Sequence, residues 1–137
     1  MRTLATLSCL ILVAIALAIP GASGAKPSTL VSYAKTGGIA GVSEQLTVRS
    51  DGLATVRERS GGDRRHHVRA ATLKRLRRTL DKAHLERALP VQPGGCADCF
   101  VYAIRYHGHR VSVSENDLPA RIAPVVTELS RIAGGGR

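Results

Sequence analysis

Two runs of alternating apolar and polar residues, separated by Asp51-Gly52, constrain the fold of this chain more than any other feature. The first run covers residues 42–50 and the second covers residues 53–56. An Asp-Gly pair between two such runs predicts a tight β-hairpin, because both central residues of a type I′ turn need a positive φ. The chain is therefore expected to contain an antiparallel sheet.

Three further segments alternate in the same way and are predicted to be strands. One is expected over residues 29–35, ahead of the hairpin. The chain alternates again over residues 100–107, and Gly108-His109 then turns it into a last strand around residues 111–113. The sequence thus predicts about five strands.

Two segments have the periodicity of amphipathic helices. Residues 69–83 carry leucines at spacings of three and four, and a short turn over 85–89 follows before Pro90. Apolar residues recur at the same spacings over 118–132, where Pro124 is expected to kink or restart the helix. Each helix is therefore expected to pack its apolar face against another part of the domain.

The predicted order is β-β-β-α-β-β-α with short connections. Antiparallel hairpins and amphipathic helices imply an α+β domain, in which one antiparallel sheet of about five strands packs both helices on one face. We expect a single domain over residues 29–133 and a disordered tail over residues 134–137.

Residues 1–25 have the pattern of an export signal. A basic start precedes an apolar run from Leu4 to Ile19, and small residues follow as far as Ala25. We therefore expect a secreted, periplasmic or cell-envelope protein, without stable membrane insertion after cleavage. A retained N-terminal anchor is the alternative. Export also argues against nucleic acid as the natural partner.

Cys96 and Cys99 are the two cysteines that lie outside the export signal, and they form a C-x-x-C pair. A thioredoxin-like redox centre is disfavoured because a predicted strand, not a helix, follows the pair. A zinc site would need two further ligands, for which the chain offers only pairs of histidines. We expect a local disulfide, formed in an oxidising compartment.

The sequence shows no set of residues arranged for catalysis. It has no nucleophile motif and no metalloprotease helix motif, and its few acidic residues are scattered. Asp51 is explained by its turn, Asp63 by a loop and Asp117 by a helix cap. We therefore expect a protein that is not an enzyme and needs no cofactor.

The densest positive charge lies on the polar face of the first predicted helix. The formal net charge of the chain is +10, which favours acidic partners. Aromatic residues are nearly absent from this face, which disfavours stacking on single-stranded nucleic acid. The face is either a solvated helix surface or a docking surface for an anionic polymer or an acidic partner. Its members are Lys74, Arg75, Arg77, Arg78 and Lys82.

Four short motifs, spread over residues 29–132, resemble one known family. The motifs are Tyr33-x-x-Thr36-Gly37-Gly38-Ile39-Ala40-Gly41, Leu89-Pro90, Ala97-Asp98-Cys99-Phe100-Val101-Tyr102 and Leu118-Pro119. Together they resemble the emfourin-type proteins, small bacterial inhibitors of protealysin and related thermolysin-like zinc metallopeptidases. The sequence departs from the family at Ile39, where an aromatic residue is usual, and in the pair of cysteines.

The resemblance implies that the chain inhibits a thermolysin-like metallopeptidase through its glycine-rich segment, residues 36–41. Such peptidases cleave before bulky apolar residues, and Gly38-Ile39-Ala40 has the form of such a substrate. We expect Ile39 to enter the peptidase's pocket; the alternative is that Ile39 caps the core. The chain is expected to act as a monomer. The predicted contact residues are Gly37, Gly38, Ile39, Ala40 and Gly41.

Overall fold

The structure, a computed structural model, describes residues 26–88, Cys96 and residues 98–135. The predicted export signal and the Leu89-Pro90 motif lie outside the described residues, as does the end of the predicted tail. Within the described ranges, no helix combines the length and the apolar character needed to cross a membrane.

A six-stranded antiparallel sheet forms one layer of the protein, with strand order β4-β3-β2-β1-β5-β6. The α+β class and the single antiparallel sheet are confirmed, with six strands in place of about five. The strands are β1 (Thr29–Gly37), β2 (Val42–Arg49), β3 (Leu53–Glu58), β4 (Arg64–His67), β5 (Phe100–Tyr106) and β6 (His109–Ser114).

The additional strand, β4, consists of two arginines and two histidines. It pairs with β3 so that His66 lies opposite Ala54 and Arg64 opposite Val56. No alternation of apolar and polar residues marks this segment, so periodicity alone predicts a loop. Charged side chains on an edge strand oppose pairing with another sheet, which suits the position of β4.

The hairpin of β2 and β3 is confirmed, but the predicted turn type is wrong. The amide of Gly52 donates to the carbonyl of Arg49 at 3.0 Å, and Gly52 has a φ of +89° while Asp51 has no positive φ. A glycine that alone takes the left-handed conformation is typical of three-residue hairpin loops. The type I′ pattern occurs between β5 and β6, where His107 and Gly108 have φ of 48° and 80°.

Two α-helices, α1 (Ala70–Ala83) and α2 (Ala123–Ala133), pack on one face of the sheet. Two 3₁₀ turns, Leu85–Arg87 and Glu115–Asp117, precede β5 and follow β6. Pro124 restarts the helix as expected, because it lies in the first turn of α2, where a missing N–H is tolerated.

The core lies between the helices and alternate residues of the strands. The sheet contributes Val31, Tyr33, Leu46, Val48, Ala54, Val56, Tyr102, Ile104, Tyr106, Val111 and Val113. The helical segments contribute Leu76, Leu80, Ala83, Leu85, Ile122, Val125, Val126, Leu129, Ile132 and Ala133. Burial of this apolar surface is the main force that holds the two layers together.

Two tyrosine hydroxyls tie the sheet to the helices by hydrogen bonds. The Tyr33 hydroxyl lies 2.9 Å from Ser130 Oγ on α2, and Tyr106 donates to Asp81 Oδ1 on α1 at 2.7 Å. Burial is the main cause that raises the pKa of each tyrosine to about 12. Both rings are therefore neutral up to strongly alkaline pH.

The opposite face of the sheet is covered by no described element, and we refer to it as the open sheet face. Its strand residues are half-buried or exposed, except Ser114 at the end of β6, which is buried. They include Ser32, Ala34, Gln45, Thr47, Thr55, Arg57, Arg65, Ala103, Arg105, Arg110 and Ser112.

Candidate functional site

A four-residue connection, Gly38–Gly41, joins β1 to β2, and we call it the tip loop. The strands pair as far as Gly37 and Val42, and the amide of Gly41 donates to the carbonyl of Gly38 at 2.9 Å. Gly38 and Gly41 have φ of +72° and +58°. The left-handed region is costly for residues with a Cβ, so both ends of this β-turn require glycine.

Ile39 stands at the top of the tip loop and points into solvent. Its relative exposure is 91%, and it is the one exposed large apolar side chain among the described residues. The interpretation of Ile39 as a cap on the core is therefore wrong. Single exposed apolar residues are common, so the exposure alone does not define a site. Ile39 differs from such residues because the base of its loop packs against another segment of the chain.

The base of the tip loop packs against the segment that leads into β5. The amide of Gly38 donates to the carbonyl of Cys99 at 3.3 Å, and a Cβ on Gly37 would overlap the same carbonyl oxygen. A Cβ on Gly38 would lie 2.7 Å from the ring of Phe100. The two consecutive glycines thus permit a close backbone approach as well as a turn.

The supporting segment is closed by the predicted disulfide, between Cys96 and Cys99, whose Cα atoms are 5.4 Å apart. The disulfide joins the two thiols that a redox centre or a zinc site would use. Among the described residues, no group of three or more His, Cys, Asp or Glu side chains is arranged to hold a metal ion. In this form the pair closes a short loop that ends at Cys99, whose carbonyl contacts the tip loop.

Phe100 belongs to the motif of residues 97–102, but it is absent from the contact residues predicted from the sequence. Lys35 Nζ lies 3.9 Å from the centroid of its ring, a cation–π contact, and the Phe100 amide donates to Glu115 Oε2 at 3.3 Å. The ring lies as a wall beside Gly38. The signal available in the sequence is its position directly after the second cysteine, at the start of an alternating run.

A depression of about 350 Å³ lies on the other side of the tip loop. It is lined by Ala40 and Val42 on one flank and by Glu58 and Arg59 on the other, where the Arg59 amide donates to the Ser43 carbonyl at 3.0 Å. The tip loop is thus flanked by a wall and by an open depression, which leaves space for side chains of a partner on one side of Ile39.

The basic residues predicted on the first helix do lie along the exposed surface of α1, but two of them form contacts with other elements of the protein. Arg75 donates to Glu128 Oε1 at 3.0 Å, and Arg77 donates to the carbonyl of Ser50 at 2.9 Å. Burial alone would raise the pKa of Glu128, but hydrogen bonds from Arg131 and Arg75 outweigh it and lower the pKa.

The other three cations of this helix surface are exposed, and they have no hydrogen-bond or ion-pair partner among the described residues. They are Lys74, Arg78 and Lys82. An array of three solvated cations on one helix is common, and it contributes little to stability. As a docking surface, the helix therefore offers fewer free cations than the sequence suggests.

Comparison with models of known protein families found no match, and a search of curated proteins found none either. The resemblance to the emfourin type therefore rests on the sequence motifs. Two of these motifs, residues 33–41 and residues 97–102, are distant in the sequence but meet in space, where Gly37 and Gly38 contact Cys99 and Phe100.

Proposed function

We propose that this protein is an exported inhibitor of a thermolysin-like zinc metallopeptidase and that it presents Ile39 to the apolar pocket of that enzyme. The observation that carries the proposal is the 91% exposure of Ile39 at the top of a β-turn with glycine at both ends. A bulky apolar side chain between Gly38 and Ala40 has the form of a substrate for such a peptidase.

The contacts that hold the tip loop favour inhibition of the peptidase over cleavage of the loop. The turn hydrogen bond, the contact of Gly37 with Cys99 and the Cys96–Cys99 disulfide hold the main chain on both sides of Ile39. A segment held in its bound conformation loses less entropy on binding, so it binds more tightly than a flexible peptide of the same sequence. The same restraint opposes the rearrangement that cleavage requires.

The disulfide also supports the exported location. Disulfides persist in oxidising compartments outside the cytosol. Together with the pattern of residues 1–25, this favours a protein that meets its target peptidase outside the cell or in the cell envelope.

An inhibition assay tests the proposal. The full chain is titrated against a panel of thermolysin-like metallopeptidases, with a serine peptidase as the control enzyme. We expect inhibition of at least one metallopeptidase at micromolar protein, unchanged by raising the salt concentration because an apolar anchor is not screened. No inhibition across the panel would overturn the proposal, as would equal inhibition of the serine peptidase.

A second candidate is the docking of an anionic polymer or an acidic partner on α1. It is favoured by the three exposed cations Lys74, Arg78 and Lys82. We rank it below the first because Arg75 and Arg77 are engaged within the protein. Binding of this kind would weaken steeply as salt is added, which separates it from inhibition through Ile39.

A further inference from the structure

Two arginines lie directly opposite each other on the open sheet face. Arg105 on β5 pairs in register with Arg110 on β6, and both side chains are exposed. Neither forms a hydrogen bond or an ion pair with any described residue. Like charges at directly opposed positions of neighbouring strands destabilise a sheet. The presence of this arginine pair is therefore not explained by the stability of the fold.

The arginine pair continues into a row that crosses the whole sheet. The pairings of the six strands place its members at one level, in the order Arg65, Thr55, Thr47, Ser32, Arg105 and Arg110. Arg65, at the other end, is also exposed and forms no hydrogen bond or ion pair with a described residue, although its charge helps to lower the pKa of Asp63. We call this set the arginine-hydroxyl row. Four strand spacings separate Arg65 from Arg105, which is about 19 Å.

A depression of about 280 Å³ lies over the part of this row that runs from β2 to β6. Arg105 and Arg110 line it at one end, Ser32 and Thr47 contribute hydroxyls, and the small side chain of Ala103 lies beside them. The strand positions of the open sheet face hold no Asp or Glu among the described residues. Its two other arginines are bound by acids at the rim, Arg49 by Asp51 and Arg57 by Asp63.

We propose that the arginine-hydroxyl row binds a linear phosphate polymer laid across the open sheet face. The row offers guanidinium and hydroxyl donors over five strand spacings, about 24 Å, which is more than a single ion can span. A phosphate chain carries acceptor oxygens and negative charge on every unit, and guanidinium binds phosphate oxygens through paired hydrogen bonds. Such a ligand would also neutralise the repulsion between Arg105 and Arg110.

The composition of the row favours this ligand over other anionic polymers. The row contains no aromatic side chain on which a base or a sugar ring could stack. The row runs across the strands and not along them, so an acidic peptide laid on it could not pair with the sheet as an added strand. The proposal concerns a different surface from the tip loop and does not depend on peptidase inhibition.

The test is a binding titration of the full chain with fluorescently labelled inorganic polyphosphate. The variant is Arg65→Gln/Arg105→Gln/Arg110→Gln, and the matched control is Lys74→Gln/Arg78→Gln/Lys82→Gln, which removes the same charge from α1. We expect at least tenfold weaker binding for the first variant and less than threefold for the control. The melting temperatures of both variants are measured to show that each one is folded. The single variant Arg110→Gln, on the edge strand, is expected to weaken binding at least threefold.

Four results would overturn the proposal. Equal losses in the two triple variants would mean attraction by net charge alone, and a loss only in the control would place the polymer on α1. Tighter binding of polyglutamate or of single-stranded DNA, with the same dependence on the three arginines, would identify another class of partner. If orthophosphate displaces polyphosphate at the same concentration of phosphate groups, the row binds a single ion and not a polymer.

Discussion

Gly37 and Cys99 are in such close contact that a Cβ on Gly37 would overlap the Cys99 carbonyl oxygen. Gly37 also has a φ of +104°, which L-residues with a side chain rarely adopt. This contact joins the base of the tip loop to the disulfide-closed segment. Gly37 therefore sets the position of the tip loop, whether or not it contacts a partner.

The first prediction is that Gly37→Ala destabilises the protein by about 2 kcal/mol or more, because it adds a steric overlap to an unfavourable φ. For a domain of this size we expect the melting temperature to fall by about 10 °C. Gly62→Ala is the control, since a Cβ there meets no atom within 4 Å, and its effect should stay within about 1 kcal/mol. Equal melting temperatures for the two variants would contradict the prediction.

The second prediction concerns Ile39. Ile39→Asp should weaken inhibition of the target peptidase about 30-fold or more, as is usual for the loss of a central apolar anchor. The melting temperature should not change measurably, because the side chain is already 91% exposed. Ile39→Phe should retain inhibition. A variant that melts early but inhibits normally would show that Ile39 supports the fold and not the binding.

The third prediction is that the disulfide restrains the tip loop. In Cys96→Ser/Cys99→Ser we expect a loss of about 2 kcal/mol, the chain-entropy value for so short a loop. Hydrogen exchange at the Gly38 amide, which donates to Cys99, should accelerate. The Gly52 amide, in the turn at the opposite end of the sheet, is the internal control. If both amides exchange as in the parent protein, the disulfide does not restrain the loop.

The fourth prediction is a loss of stability at alkaline pH. Burial raises the pKa of Tyr33 and Tyr106 to about 12 in the folded protein, against about 10 when unfolded. The stabilisation is therefore complete below pH 10 and is lost as the pH rises through 12. Between pH 9 and pH 11, the free energy of unfolding should fall by about 2–3 kcal/mol, as measured by urea denaturation.

A single substitution separates this effect from other alkaline transitions. Tyr106→Phe removes one of these groups and should reduce the alkaline loss by about 1 kcal/mol, while Asp81 stays exposed to water. A loss of the same size in the parent and in the variant would mean that other groups titrate instead.

Periodicity and turn residues were sufficient for most of the fold. The alternating runs around Asp51-Gly52 predict a hairpin, and the spacing of leucines predicts α1 within one residue of its observed start. Pro124 marks the start of α2 because a missing N–H and a bulky ring are tolerated only in the first turn of a helix. These features depend on neighbours in the chain, so a local pattern is enough to predict them.

The sequence by itself therefore determined the α+β class, the hairpins, the two helices and the close spacing of Cys96 and Cys99. Only the tertiary structure decided that Ile39 points to solvent and that the arginine-hydroxyl row crosses the open sheet face. It also showed β4, whose residues have no strand pattern of their own. The physical reason is that an edge strand, a glycine contact and a cross-strand row depend on pairing between distant segments, and no local periodicity records which segments will pair.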